Sequence, residues 1–259
     1  MLQPSPPQAA DLAARYLDLV ERCLKNEIHG ESRLETFLQR AVLRARHPRQ
    51  TAGGGYAWPA RAQTMLSGAR LRHLRVLTEA TLRDGVPGGY LEAGVWRGGA
   101  CILMRAVLAA YGVTTRRVFA ADSFAGLPRP DARYPADRGD KLHSFAQLRV
   151  SEAEVRRNFA AYGLLDSQVV FLPGLFEQTL PTLAGERFAL IHLDGDMYAS
   201  ILDALTCLYD RLSPGGYAVV DDYGVLPACR RAVHDFLDSR ALAPEILPVD
   251  AKAVWWRKA

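Results

Sequence analysis

Two pairs of aspartates stand out for chemistry: Asp194 and Asp196 in FALIHLDGDMYAS, and Asp221 and Asp222 in GYAVVDDYG. Each pair follows an apolar run, so each lies where a buried strand would end. A core strand that finishes on carboxylates needs a reason to gather negative charge there. Unpaired, converging acids repel one another and raise each other's pKa, and a divalent cation removes that penalty. An all-oxygen ligand set favours Mg²⁺, Mn²⁺ or Ca²⁺ over zinc, and no HxxxH or cysteine cluster competes for the role. Asp221 and Asp222 are adjacent, so an ideal strand would point them to opposite faces. Both reach one ion only if the strand has ended, and the following Tyr223-Gly224 suits such an end. Gly195 likewise permits a sharp turn that aims Asp194 and Asp196 differently. A simpler alternative makes Asp196 the cap of a helix starting near Tyr198, which explains one acid of the four.

A second group of candidates lies earlier in the chain. In LEAGVWRGGACILM, Glu92 ends an apolar run and Gly94, Gly98 and Gly99 precede a helical pattern. The spacing GxxxGG differs from the GxGxxG of a dinucleotide fold, and Glu92 would repel a phosphate. A carboxylate there suits a cationic group such as an amino acid's ammonium. The next apolar run ends in Asp122, where an acid can accept hydrogen bonds from both ribose hydroxyls. Together they point to a nucleoside that carries an amino acid and no phosphates, S-adenosylmethionine. In the alternative, Glu92 and Asp122 cap helices or satisfy loop amides. Methyl transfer to a sugar hydroxyl would use a metal well: the hydroxyl is a poor nucleophile, a cation stabilises the developing alkoxide, and a nearby carboxylate takes the proton.

These residues need elements to position them. From 89 onward short apolar runs alternate with helical segments, which argues for a parallel sheet covered on both faces. Ligands of open α/β sheets bind outside the carboxyl ends of the strands. The tips there are Glu92-Ala93-Gly94, Ala121-Asp122-Ser123, Pro173-Gly174, Asp194-Gly195-Asp196 and Asp221-Asp222. The last two runs, PEILPVD and AVWWRKA, have no helix between them and are expected to pair antiparallel near one edge. Residues 1–10 are proline-rich and read as loose, 11–46 carry helical spacing, and 51–65 read as a glycine-rich loop.

The 259 residues suit one large domain with an appended lid. A net charge of +4 with mixed signs is too small to imply nucleic acid. No apolar run approaches the roughly 18 residues of a membrane span, and the N-terminus does not read as a signal peptide. Four cysteines without a CxxC pair fit reduced thiols in a cytoplasmic protein.

YLEAGVWRGGACILMRAVLAAYG, ADSFAGLP, SEAEVRRNF, YGLLDSQVVFLPG, LDGDMY and LSPGGYAVVDDY together resemble the macrocin O-methyltransferase family, and within it the novobiocin-type noviose 4-O-methyltransferases. The resemblance runs from about Thr64 to the C-terminus. It implies an α/β fold of the class I S-adenosylmethionine-dependent methyltransferase type, a Rossmann-like seven-stranded sheet with an antiparallel last strand. It implies an N-terminal helical extension or lid over 1–63 and a methyltransferase domain over 64–259. It implies Mg²⁺ at Asp194, Asp221 and Asp222, with Asp196 as general base. It also implies cofactor contacts at Thr64, Glu92, Ala93, Gly94, Val95 and Trp96, at Asp122, Ser123, Phe124 and Gly126, and at Ser151, Gly174, Phe176 and Asp194. The expected acceptor is a glycosylated small molecule, a deoxysugar on an antibiotic or other secondary metabolite, and the expected assembly a homodimer or larger homo-oligomer. The loop RPDARYPADRGDKLHSFAQLRV and the N-terminal region are expected to form a lid that reads the acceptor.

Two other functions compete: a metal-dependent O-methyltransferase of a catechol-like phenol, and a non-catalytic S-adenosylmethionine-binding protein. A nicotinamide dehydrogenase has the wrong glycine spacing. His192 reads as a packed core histidine and His143 as a solvated loop residue. Trp255 and Trp256 are expected on opposite faces of a strand, and Cys101 and Cys207 as buried fillers. Arg97 could pair with Glu92 or reach the cofactor carboxylate.

Overall fold

The computed structural model describes residues 6–30, 33–46 and 58–259. Residues 1–5 of the proline-rich start and 51–57 of the glycine-rich stretch lie outside them. Among the described residues three helices come first: α1 (Pro6–Leu24), α2 (Arg33–Arg46) and α3 (Gly68–Arg83). The expected alternation follows, as β1 (Gly89–Ala93), α4 (Gly99–Ala110), β2 (Val118–Asp122), α5 (Glu152–Ala161), β3 (Val169–Pro173), α6 (Phe176–Thr179), β4 (Phe188–Leu193), α7 (Tyr198–Leu208), β5 (Leu212–Val220) and α8 (Pro227–Ser239). Two short strands, β6 (Leu247–Pro248) and β7 (Val254–Arg257), close the chain.

The strands form one seven-stranded sheet in the order β3-β2-β1-β4-β5-β7-β6. β7 runs antiparallel to both of its neighbours, as the helix-free connection between the last two runs requires. β1 and β4 are buried at every position, because helices cover both faces of central parallel strands. Side chains alternate between two cores, so Tyr90 packs on one face and Leu91 on the other. Trp255 and Trp256 divide in the same way, on the opposite faces expected of them.

α4 is buried without a break from Gly99 to Leu108. A helix buried on every side needs cover on every side. The sheet covers one flank, and α1 and α3 cover the other, with Leu17, Leu24, Leu71 and Leu74 in the same core. The N-terminal segment is therefore part of the main core as well as the edge of the cavity described below. Among the described residues no helix is long and apolar enough to cross a membrane.

The chain reverses its order of strands between β1 and β4, the switch point where open sheets bind ligands. The hydrogen-bond ladder runs one residue past the strands here. Asp194 N–H donates to Ala93 O at 2.8 Å, Asp221 N–H to Leu193 O at 3.0 Å, Gly94 N–H to Ala121 O at 2.9 Å and Gly174 N–H to Asp122 O at 2.9 Å. All five tips are thereby held level. Gly94 has φ +95°, and a Cβ there would stand 2.0 Å from the Asp194 carbonyl oxygen. Neither the backbone nor the space accepts a side chain. Gly94→Ala is expected to destabilise the protein by about 3 kcal/mol, from overpacking and left-handed strain together; urea unfolding of the two proteins checks it.

Candidate active site

One cavity of about 950 Å³ opens at these tips. That is at the upper end for a small-molecule site, as one holding both a cofactor and an acceptor requires. Of the expected site residues, Thr64, Gly94, Trp96, Asp122, Ser123, Gly126, Gly174 and Phe176 line it, together with Asp194, Asp196, Asp221 and Asp222.

On the β1–β2 side the backbone shapes the wall. Gly94, Trp96 and Gly98 all have positive φ, at 95°, 46° and 89°, so the chain doubles back after β1. Asp122 holds that loop in place. It accepts Val95 N–H at 2.7 Å and Trp96 N–H at 3.3 Å on one oxygen, and Phe124 N–H at 2.8 Å on the other. Burial still pushes its carboxyl above the usual carboxylate range, against those donors. Asp122 thus both lines the cavity and satisfies loop amides.

Glu92 is placed differently from the expectation that it meets a ligand ammonium. It is 3% exposed and does not line the cavity. Every position of β1 is buried, so its side chain turns inward beneath the glycine loop. There it accepts Cys101 N–H at 3.1 Å from α4, and its other oxygen lies 3.1 Å from His192 Nδ1. Ala93, Val95, Phe124 and Ser151 are also absent from the wall. Ala93 and Val95 are core residues. Phe124 packs on Phe171, and Ser151 caps α5 by accepting Glu154 N–H at 3.3 Å. Arg97 reaches neither Glu92 nor the cavity. It lies over the Trp96 ring and donates to the carbonyls of Pro59, Ala60 and Ala62, clasping the segment that leads to Thr64.

The other half of the cavity is acidic. Leu193 pairs with Val220, so Asp194 and Asp221 leave β4 and β5 side by side. β5 has ended before Asp221, and Asp194, Asp221 and Asp222 bring one oxygen each within 4.8 Å of one another. Oxygens across an octahedral Mg²⁺ are about 4.2 Å apart, and those across Ca²⁺ about 4.8 Å, so the trio fits a hard cation. Asp221 Oδ1 is buried without a hydrogen bond, an acceptor left for such an ion. Its Oδ2 takes a hydrogen bond from Arg70 Nη1. Arg70 also lies 3.3 Å from Asp250, which fixes the guanidinium from behind. His192 is buried between the halves, with Nδ1 on Glu92 and Nε2 3.9 Å from Asp221. Burial opposes its charge, yet Asp221 and Glu92 outweigh that and push it up to about 9.

Burial first, and then the neighbouring acids, drive the Asp194 and Asp196 carboxyls well above their ordinary range. Asp222 is raised by burial and by its neighbour Asp221.

The turn that separates Asp194 from Asp196 is made in a way other than the one expected. The left-handed residue is Asp196 itself, at φ 60°, in a three-residue turn closed by Met197 N–H to Gly195 O at 2.6 Å. Such a conformation costs about 1–2 kcal/mol outside glycine. Gly195 is small to make room: a Cβ there would lie 2.9 Å from both Phe176 and Ser200. Asp196 does not cap α7 either. The amides of Tyr198 and Ala199 donate to Asp137 instead, at 2.7 and 3.0 Å. Arg70, Asp137 and the pairing of His192 escape notice in the sequence, because each acts on a residue far away along the chain.

The sheet order, the switch point and its acids define a class I methyltransferase, an α/β fold. The chain belongs to the macrocin O-methyltransferase (TylF) family, whose model matches residues 13–258. It is 44% identical over 259 residues to the mycinamicin III 3''-O-methyltransferase of Micromonospora griseorubida, covering 98% of this chain and 99% of that one. It is 46% identical over 244 residues to the 8-demethyl-8-(2,3-dimethoxy-alpha-L-rhamnosyl)-tetracenomycin-C 4'-O-methyltransferase of Streptomyces olivaceus, covering 93% and 92%. Among solved structures, the O-methyltransferase NovP superposes with a TM-score of 0.84 at 41% identity, over 95% of this chain and 99% of that one.

The raised carboxyls make stability depend on pH in a definite direction. Asp194, Asp196 and Asp222 hold protons in the cation-free folded state at pH values where the unfolded chain, near 3.9, has lost them. That stability is complete below about pH 4 and is lost as pH rises through the folded values. His192, raised to about 9, adds a loss in the same direction above its unfolded value of about 6.5. Without divalent cations the melting temperature is therefore expected to fall by about 2 °C or more between pH 5 and pH 8. Added Mg²⁺ should raise it more at pH 8 than at pH 5, as differential scanning fluorimetry reads directly.

Proposed function

We propose that this protein transfers a methyl group from S-adenosylmethionine to a hydroxyl of a deoxysugar attached to a natural product, with the help of Mg²⁺. The observation that carries it is the convergence of Asp194, Asp221 and Asp222, with Asp196 one tight turn away in the same cavity. The relatives support the acceptor class: their names specify methylation of a mycinamicin and of a rhamnosyl-tetracenomycin.

When bound, the cation would favour the ionised acceptor hydroxyl and S-adenosylmethionine would supply the methyl group. Asp194, Asp221 and Asp222 would hold the cation, with Arg70 keeping one Asp221 oxygen occupied and the other turned inward. The glycine loop and Asp122 form the wall against which the nucleoside would lie, and Thr64, Ser123 and Gly174 close it. Asp196 takes the proton from the acceptor hydroxyl. Its raised affinity for protons in the cation-free site suits a base, and it stands outside the trio that would hold the cation.

Self-association is also part of this proposal. α2 exposes Leu34, Phe37 and Leu38 along one side, apolar surface of the kind that a second copy covers.

Asp196→Asn is expected to lower kcat by about 10²–10⁴-fold with S-adenosylmethionine affinity nearly unchanged. Near-parental turnover would remove Asp196 as base. A deoxysugar glycoside and a free catechol assayed side by side test the acceptor, and a catechol turned over faster would overturn the sugar assignment. Activity that survives complete removal of divalent metal would overturn the role of the cation.

A further inference from the structure

The least exposed acid among the described residues is Asp137, at 2%. It belongs to the short 3₁₀ turn Pro135–Asp137, midway along the loop between β2 and α5. A loop carboxylate is normally solvated, and burying one demands strong partners. Its two oxygens accept Tyr198 N–H and Ala199 N–H at 2.7 and 3.0 Å. These are amides at the start of α7, whose own cap residue, Met197, has no side-chain acceptor to give them. The partial positive charge at that helix end balances the carboxylate. Nearby, the Tyr134 and Tyr198 rings meet at 5.9 Å, so the loop and the helix also pack together.

The two capped amides come directly after the Asp194-Gly195-Asp196 turn. A non-glycine residue in a left-handed conformation persists only where its surroundings over-determine it. On the β4 side the turn is fixed by the Asp194 amide in the strand ladder. On the α7 side it is fixed through the helix end that Asp137 holds.

We infer that Asp137 is a positioning residue: it clamps the acid turn from the loop, so that seating the 129–150 loop and aiming Asp196 are one event. This rests on Asp196 being the base. With the loop lifted, the first turn of α7 loses its cap and Asp196 is released from its strained setting. Proton removal is thereby confined to the state in which the loop covers the cavity and water is excluded.

The test uses the full chain with Asp137→Ala and Asp137→Asn, the second keeping the shape and one acceptor oxygen should the first unfold early. Expected is a fall in kcat of about tenfold or more, with acceptor KM and S-adenosylmethionine Kd changed by less than about threefold. Limited trypsin treatment should cut the loop, at Arg138 or Lys141, at least about fivefold faster than in the parent. In an Asp196→Asn background, Asp137→Ala should change kcat by less than about twofold, since the residue it positions is gone. Parental kcat in a folded Asp137 variant overturns the inference, as does a full tenfold loss in the Asp196→Asn background. Parental trypsin resistance in Asp137→Ala overturns it alone, whereas parental turnover of Asp196→Asn overturns the base assignment and this inference with it.

Discussion

Four aspartates leave the ends of two neighbouring parallel strands into a cavity from which much of the water is excluded. Like charges in that setting cannot all ionise without compensation. Arg70 offsets part of the charge on Asp221, and the protonated His192 stands between Asp221 and Glu92. The five carboxylates outnumber the cations beside them, Arg70, His192 and Lys252, and the shortfall appears as raised affinities for protons at Asp194, Asp196 and Asp222. The cation of the proposed function would close that gap. The level tips, the glycine at 94 and the buried arginine all serve to keep the acids close enough to need one.

The fold was legible because its signal is local. Apolar runs of four to six residues bounded by acids and glycines marked the strands, and helix-free spacing marked the antiparallel pair at the edge. The acidic tips were legible for the same reason: strand ends are where the apolar run stops. What was hidden depends on distance along the chain. Arg70 meets Asp221 across 151 positions, His192 meets Glu92 across 100, and Asp137 meets Tyr198 across 61. Nothing beside Glu92 says that its negative charge is already claimed from within. Its type and position matched a ligand contact, but its neighbours in space make it a buried support.

The Asp-Gly-Asp turn is made through an unexpected division of labour. The glycine yields volume to Phe176 and Ser200, and the aspartate after it takes the backbone strain. Aspartate tolerates that conformation better than most side chains, which makes Asp196 a suitable hinge. Strain stored at a reactive side chain is a recurrent way to fix its direction before substrate arrives.

The buried helix α4 has a consequence for how this architecture diversifies. Its outer flank is covered by the same N-terminal segment whose continuation, through Lys25, Trp58 and Pro59, forms part of the cavity rim. The rim is thus not a detachable module. Exchanging that segment for one suited to a different acceptor would replace part of the packing layer along with the mouth. Diversity is cheapest where a residue touches the cavity and little else, so new acceptors should be reached by point changes at the rim before whole segments are traded.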